Sequence, residues 1–186
     1  DRLLEGEIAQ IFFTEVLEIA KEHDLLSEEH FSVDGTLIES MASHKSFKPK
    51  DKNNKPPKGR NGREDFHKEK RKNDTHQSTT DPDARLYRKG LGKEAKLCFM
   101  AHTVNENRNN LIMETLLNRA TGTAEREAAL EMVDKIKPPS KKITLAGDKG
   151  YDVKEYTEAL RGKNVVNHPA MNDTNRRSSI DGRTYR

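Results

Sequence analysis

The sequence predicts an α/β domain built on one mixed sheet, with antiparallel strands first, parallel strands after, and helices flanking them. Three observations carry this prediction. Short alternating or apolar runs cluster before residue 120, as in an antiparallel meander. After residue 120, helical and strand patterns alternate, as parallel pairing through crossovers requires. Between the first strand and the meander lies a basic stretch with almost no apolar residues.

Residues 3 to 23 place Leu4, Ile8, Ile11, Phe12, Val16 and Ile19 at helical spacing, an amphipathic helix. "FSVDGTLIES", residues 31 to 40, reads as the first strand, with Phe31, Val33, Leu37 and Ile38 as its apolar members. Asp34 stands in its middle, followed by Gly35 and Thr36. A buried carboxylate is costly unless it is paired, hydrogen-bonded or bound to a metal. Asp34 therefore either faces solvent or has been placed for chemistry.

Residues 41 to 84 form a long flexible insertion in this reading. From Lys45 to His76 stand twelve Lys or Arg against five acids, a net +7. The whole chain carries +3, so the remainder carries −4. Phe47 and Phe66 are the large apolar residues of the span, and Pro49, Pro56, Pro57, Gly59 and Gly62 interrupt it. Such a segment buries too little surface to offset the entropy of ordering. Concentrated positive charge of this kind suits an arm that meets a polyanion.

"ARLYRKG", "AKLCFMAHTVNEN" and "NNLIMETLLN" follow as three strands. "TGTAEREAALEMVDKIK" is a helix with Thr123 at its N-cap and Pro138 and Pro139 ending it. "KITLAGD" reads as a short apolar strand buried on both faces. "DVKEYTEALRGK" is a further helix with Asp152 as its N-cap, and "NVVNHPA" is a last short strand.

Composition narrows the function classes. The chain has 186 residues, enough for one ordinary domain, with 32% hydrophobic and 35% charged residues. Cys98 is the lone cysteine, which excludes an internal disulfide, and it reads as a buried small apolar residue. No apolar run approaches membrane-spanning length and no signal peptide opens the chain, so a cytoplasmic location is expected. The start at Asp1 and the end at "DGRTYR" suggest a piece of something longer.

Asp148 follows directly on the strand at residues 143 to 147, and sites form at the carboxyl ends of strands in α/β sheets. If the strands carrying Asp34 and Asp148 are neighbours, both carboxylates can point at one spot. Two convergent carboxylates suit Mg²⁺, a hard cation that prefers oxygen. Gly147 and Gly150 are expected to leave room there for substrate or backbone. Either aspartate also fits the blander role of strand-end turn former or cap. Asp81 and Asp83, flanking Pro82, read as a turn signature. His76, His102 and His168 lack partners at metal-ligand spacing and read as polar surface or hydrogen-bonding histidines.

"FSVDGTLIESMASHKSFKPKD", "NDTHQSTTDPDARLYRKGLGKEAKLCFMAH", "LNRATGTAEREAAL" and "ITLAGDKGYD" together resemble the transposases of bacterial insertion sequences, members of the DDE superfamily with a ribonuclease-H-like fold. The resemblance runs from about Phe31 to the C-terminus. It implies a helical N-terminal segment at 1–29, then a partial catalytic domain at 30–186 with the basic insertion at about 41–84. It implies that Asp34 and Asp148 are catalytic, as the first two acids of a metal-binding triad that takes two Mg²⁺ or Mn²⁺ ions. A third acid, a glutamate on a later helix, is implied beyond Arg186; Glu155 and Glu158 do not match its position. The implied activity is metal-dependent DNA strand cleavage, followed by attack of the freed 3′-hydroxyl on target DNA. Such chemistry places the protein in DNA transposition and recombination of a mobile element. The implied partners are the element ends, target DNA and further copies of the chain, and no membrane is implied.

DNA phosphates would be held without sequence reading by Lys45, Lys48, Lys50, Lys52, Lys55, Lys58, Arg60, Arg63, Lys68, Lys70, Arg71 and Lys72. Lys149 and Tyr151, flanking Asp148, are further candidates for phosphate contact. The chain by itself is expected to be inactive for want of the third acid. Two alternatives stay open. One is a non-catalytic nucleic-acid-binding remnant. The other is a haloacid-dehalogenase-like phosphatase, whose Asp-x-Asp-Gly-Thr strand end "SVDGT" echoes, although Ser32 stands where that nucleophilic aspartate belongs.

Overall fold

The structure, a computed structural model, describes residues 7–51, 71–90, 92–136, 140–172 and 178–179. Its elements are α1 (Ile8–Glu22), β1 (His30–Glu39), β2 (Phe47–Pro49), β3 (His76–Ser78), β4 (Arg85–Tyr87), β5 (Lys96–Glu106), β6 (Ile112–Arg119), α2 (Ala124–Ile136), β7 (Ile143–Gly147), α3 (Lys154–Gly162) and β8 (Val165–Pro169).

Six strands form one sheet in the order β4-β5-β1-β7-β8, with β6 also pairing β5. The early strands are antiparallel. Arg85 pairs with Cys98 and Tyr87 with Lys96. Ser40 N donates to Leu97 O (2.9 Å) at one end of β1, and Asn107 N donates to His30 O (3.0 Å) at the other, so β5 runs against β1. The late strands are parallel, β1 with β7 and β7 with β8. This is the mixed sheet, antiparallel strands first and parallel strands after, that the sequence predicts, with helices in the second half where alternation expects them.

The chain divides into two compact units, residues 1–34, 103–115 and 129–186 in the first, and residues 35–102 and 116–128 in the second. The first unit buries Phe31, Val33, Val104, Met132, Val133, Ile143, Leu145, Leu160 and Val165, all at or below 4% exposure. The alternating pattern of β1 follows from its two-residue period, with Phe31 and Val33 inward and His30 and Asp34 outward. In β7, expected to be buried on both faces, Ile143 and Leu145 are buried while Thr144 and Ala146 are only half-buried. Helix α1 keeps Ile11 and Phe12 exposed, at 56% and 69%, so its apolar stripe is uncovered among the described residues.

The second unit has two small cores. One joins Ala42, Phe47, Ala84 and Leu97, with Leu86 and Phe99 against them. The other joins Cys98, Met100, Ala120 and Ala124, with Leu37 and Tyr87 against them. The flexible insertion expected at 41–84 is therefore too wide at both ends. Strands β2 and β3 pair antiparallel, Phe47 with Ser78 and Pro49 with His76. Phe47 is buried and its ring stacks on His76 at 5.5 Å between centroids. The hydroxyls of Ser46 and Ser78 lie 2.7 Å apart. The Asn73 side-chain amide bonds both the N–H (2.8 Å) and the carbonyl (3.0 Å) of Leu86, acting as a further strand residue would. Charge counting missed these anchors because each is a single apolar or amide group in a polar background. Residues 52–70 lie outside the described residues.

Candidate metal-binding face at the ends of two parallel strands

Asp34 faces solvent, since the even positions of β1 point away from the buried side. The register of β1 on β7 decides where Asp148 stands relative to it. His30 pairs with Thr144, Phe31 with Leu145 and Ser32 with Ala146. In parallel strands, register partners share a face, and the His30 Nδ1 to Thr144 Oγ1 contact of 2.7 Å marks that face directly. Two residues further along each chain come Asp34 and Asp148. Asp148 keeps an extended backbone, φ −74° and ψ −178°, although the paired register of β1 on β7 ends at Ser32 and Ala146. Strand alternation from those partners gives both aspartates the same parity; Asp34 lies midway along β1, Asp148 just past the end of β7, and both are exposed.

The local sequence after Asp148 explains its pose. Its Oδ1 accepts the Gly150 N–H at 2.8 Å and starts a 3-10 turn over Lys149–Tyr151. Gly147 is required for a different reason from the one its sequence suggests. A Cβ there would meet Tyr151 Cδ2 at 2.7 Å and Cγ at 2.9 Å, so the glycine admits the Tyr151 ring, not a substrate. Tyr151 is 1% exposed and packs by Tyr156 (5.7 Å between centroids), which removes it as a DNA contact. Lys149 is exposed.

Asp152 is not the N-cap of α3. That position is Val153, which has no side-chain capping bond. Asp152 instead is buried and accepts from Asn172 N (2.8 Å), Ser179 N (2.8 Å) and the Ser179 hydroxyl, tying down the chain after β8. Burial alone would raise its pKa. The hydrogen bonds from Ser179, Ser178 and Asn172 outweigh that and hold it at about 2.

Glu106, which the sequence did not single out, is a second buried acid. Its carboxylate accepts the N–H groups of Ser27 (3.0 Å), Arg108 (2.8 Å), Asn109 (2.7 Å) and Leu111 (3.0 Å). Burial pushes its pKa up and these four bonds more than reverse the shift, so it lies below the ordinary glutamate range. Alternation along β5 (Met100, His102, Val104, Glu106) was the available signal.

His102 is fully buried, contrary to the surface role read from sequence, and among the described residues neither ring nitrogen has a hydrogen-bond partner. Burial holds its pKa below the usual histidine value. His168 is exposed and pairs in register with Ala146, so it belongs to the face of Asp34 and Asp148. In the second unit, Gly35 is hemmed in by Glu125, whose Cγ and Oε1 a Cβ would meet at 2.9 Å, and its carbonyl lies 3.4 Å from Lys89 Nζ. Cys98 is buried as expected, and burial raises its thiol pKa. Asp81 caps its turn through Oδ1 and Ala84 N (3.3 Å) and also accepts from Ser40 Oγ (2.6 Å), while Asp83 pairs with Arg119.

Of the arm's basic residues, Lys45, Lys48, Lys50 and Lys72 are exposed and Arg71 is half-buried. Lys52, Lys55, Lys58, Arg60, Arg63, Lys68 and Lys70 lie outside the described residues. Glu155 is exposed on α3, and Glu158 pairs with Lys154 at 3.8 Å. No group of three or more His, Cys, Asp or Glu among the described residues is arranged to hold a metal ion. Two exposed carboxylates on one face still fit Mg²⁺, which binds through one or two carboxylates and keeps several waters. No helix among the described residues is long and apolar enough to cross a membrane. At the position two before Asp34, the Ser32 hydroxyl donates to Asn107 Oδ1 (2.7 Å), so no carboxylate stands where a phospho-aspartyl enzyme needs one.

No protein-family model matches the chain, and no curated protein matches it. Among solved structures the chain is similar to the Mos1 transposase paired-end complex with left transposon end (11% identity, TM-score 0.36) and to the Mos1 mariner paired-end complex with Mn (12%, 0.37). The similarity covers 85% of this chain and 40% of each of those chains. A Mos1 strand transfer complex matches at 10% identity and a TM-score of 0.35, over 85% of this chain and 39% of that one. The chain thus spans about two-fifths of the length of the structures it resembles, and a likeness this distant identifies no residue and no activity.

Proposed function

We propose that this chain belongs to the catalytic domain of a DDE transposase, which cleaves DNA strands at element ends and joins them to target DNA in a metal-dependent way. The observation that supports the reading is the parallel pairing of β1 with β7 through Ser32 and Ala146, two residues before Asp34 and Asp148, both of which are exposed. Asp34 and Asp148 hold the divalent cations, with Mg²⁺ or Mn²⁺ as the fitting ions and two of them in the complete site. When bound, such ions lower the pKa of water and stabilise the charge of a phosphoryl transfer.

The protein residues do the rest. Exposed Asp34 and Asp148 would hold the metal ions beside the scissile phosphodiester, and the Gly150 N–H donates to Asp148 Oδ1 and orients that side chain. In the first step an oxygen of water bonds to phosphorus, the P–O3′ bond breaks, and the 3′-oxygen leaves as a hydroxyl. In the second, the oxygen of that hydroxyl bonds to the phosphorus of a target phosphodiester, the target's own P–O3′ bond breaks, and the target 3′-oxygen leaves with the proton as a hydroxyl. Lys45, Lys48, Lys50 and the other arm residues neutralise DNA phosphates without reading sequence. Element ends and target are the DNA partners, and several copies of the chain assemble on them.

The test uses the full-length protein with end-bearing DNA and Mg²⁺. Asp34→Asn and Asp148→Asn should each reduce strand cleavage by about 10³-fold or more, in the range seen when charge-stabilising groups are lost, with DNA binding retained. Cleavage persisting in either variant refutes the assignment. DNA binding without any wild-type cleavage supports the non-catalytic reading instead.

A further inference from the structure

Three parallel strands, β1, β7 and β8, present one open face in the first unit. Their registers align residues in rows across it: His30, Thr144 and Val166 in one, then Ser32, Ala146 and His168. Two residues on from Ser32 and Ala146 come Asp34 and Asp148. His168 is exposed, while its neighbours Asn167 and Pro169 point to the buried side. The residue beside it in its row is Ala146, a short side chain that is half-buried. Strands stand about 4.8 Å apart and rows about 6.6 Å apart. An imidazole leaning along the strand therefore reaches a phosphate group held at Asp34 and Asp148.

The backbone under His168 is held firmly. Asn167 Nδ2 donates to Thr157 Oγ1 (2.8 Å) and to Tyr151 O (3.2 Å), both inside the buried layer. On the other side, Ala170 N donates to Gly147 O (2.9 Å) and continues the ladder to the residue before Asp148. A side chain on a strand pinned at both flanks is placed more closely than one on a loop.

We propose that His168 is a substrate contact of this face, donating a ring N–H to a non-bridging oxygen of the DNA phosphate being cleaved. The proposal rests on the transposase reading above. It adds a neutral-or-cationic donor on a third strand to a face that otherwise offers two carboxylates. A phosphate approaching two acids needs such a donor, because the acids alone repel it.

Single-turnover cleavage of end-bearing DNA by the full-length protein tests this. His168→Ala should lower cleavage about 10- to 100-fold, the range for a lost hydrogen bond to a charged group, at an unchanged melting temperature. His168→Gln, whose amide nitrogen matches the far ring nitrogen, should recover most of the rate. Wild-type cleavage by His168→Ala overturns the proposal, and so does a His168→Gln rate no better than that of Ala. Absence of cleavage in the wild type overturns the transposase reading itself. Asp34→Asn inactivity beside a fully active His168→Ala leaves that reading standing and removes this contact alone.

Discussion

The two ends of the first unit's strands treat carboxylates in opposite ways. Where β1 begins and β5 ends, Glu106 is at 0% exposure and spends both oxygens on four backbone N–H groups. Midway along β1 and just past the end of β7, Asp34 and Asp148 are exposed to solvent. The first arrangement leaves a carboxylate no capacity for a ligand; it exists to satisfy a turn and the chain at Ser27. The second leaves both side chains at the surface, where a ligand can reach them. Depth and saturation, and not residue type, separate an acid that builds the protein from one that can work for it.

The largest test of this contrast is Glu106→Ala. It removes a buried carboxylate from four backbone donors, and losing hydrogen bonds to a charged group costs about 3 kcal/mol. Urea unfolding of the variant should show that loss in the midpoint. A loss under 1 kcal/mol would mean that water replaces the carboxylate readily, and the contrast between the two ends would fail.

Asp152 comes next. With a folded pKa of about 2 against an unfolded value of 3.8, its bonds contribute on the order of 2 kcal/mol. The folded pKa is depressed, so the contribution is complete above pH 4 and disappears as pH falls toward 2. Asp152→Asn should lose about that much at pH 7 and flatten the acid limb of the stability curve. It should also expose the chain around Asn172 to proteolysis, because two of the lost bonds hold that segment's N–H groups. An unaltered acid limb would show that Asp152 is not the group titrating there.

How legible all this was in the sequence depended on the kind of signal. Sheet order came through because alternation in β1 and β5 and the helix-strand rhythm after residue 120 are long-period patterns. The Asp34 and Asp148 pairing was legible as a possibility, since each belongs to or follows a core strand, but their parity needed the register Ser32 to Ala146. Glu106 was missed because a polar residue at a buried strand position looks like the strand's natural end. Asp152 was misread because an acid before a helix usually caps it; here its partners lie 20 and 27 residues away. The anchors at Phe47 and Asn73 were hidden by the charge around them.

His102 sharpens the contrast from another side, as a buried polar group with no bonds among the described residues. Its folded pKa is lowered by burial, so protonation opposes folding. Stability should be complete above the unfolded value near 6.5 and fall as pH drops below it. His102→Leu keeps the volume and removes the titration. Its gain over the wild type should be about 1 kcal/mol larger at pH 5.5 than above pH 7.5, where only the cost of the unbonded neutral ring is relieved. Equal pH profiles for the two proteins would show that the ring is bonded through water.

The smallest expected effect belongs to the open acids. Asp34→Asn and Asp148→Asn should change stability by less than about 0.5 kcal/mol, as for exposed surface positions. Divalent cations should reverse that order. A ligand that binds only the folded state stabilises it by RT ln(1 + [L]/Kd), about 2.7 kcal/mol at 100 times Kd. Mn²⁺ titrated into the wild type should raise the melting temperature, and Asp34→Asn should lose that rise while keeping the metal-free midpoint. An equal rise in both proteins would place the ion elsewhere and leave Asp34 as ordinary surface. At the buried end the same titration should do nothing, because Glu106 has no oxygen left to offer.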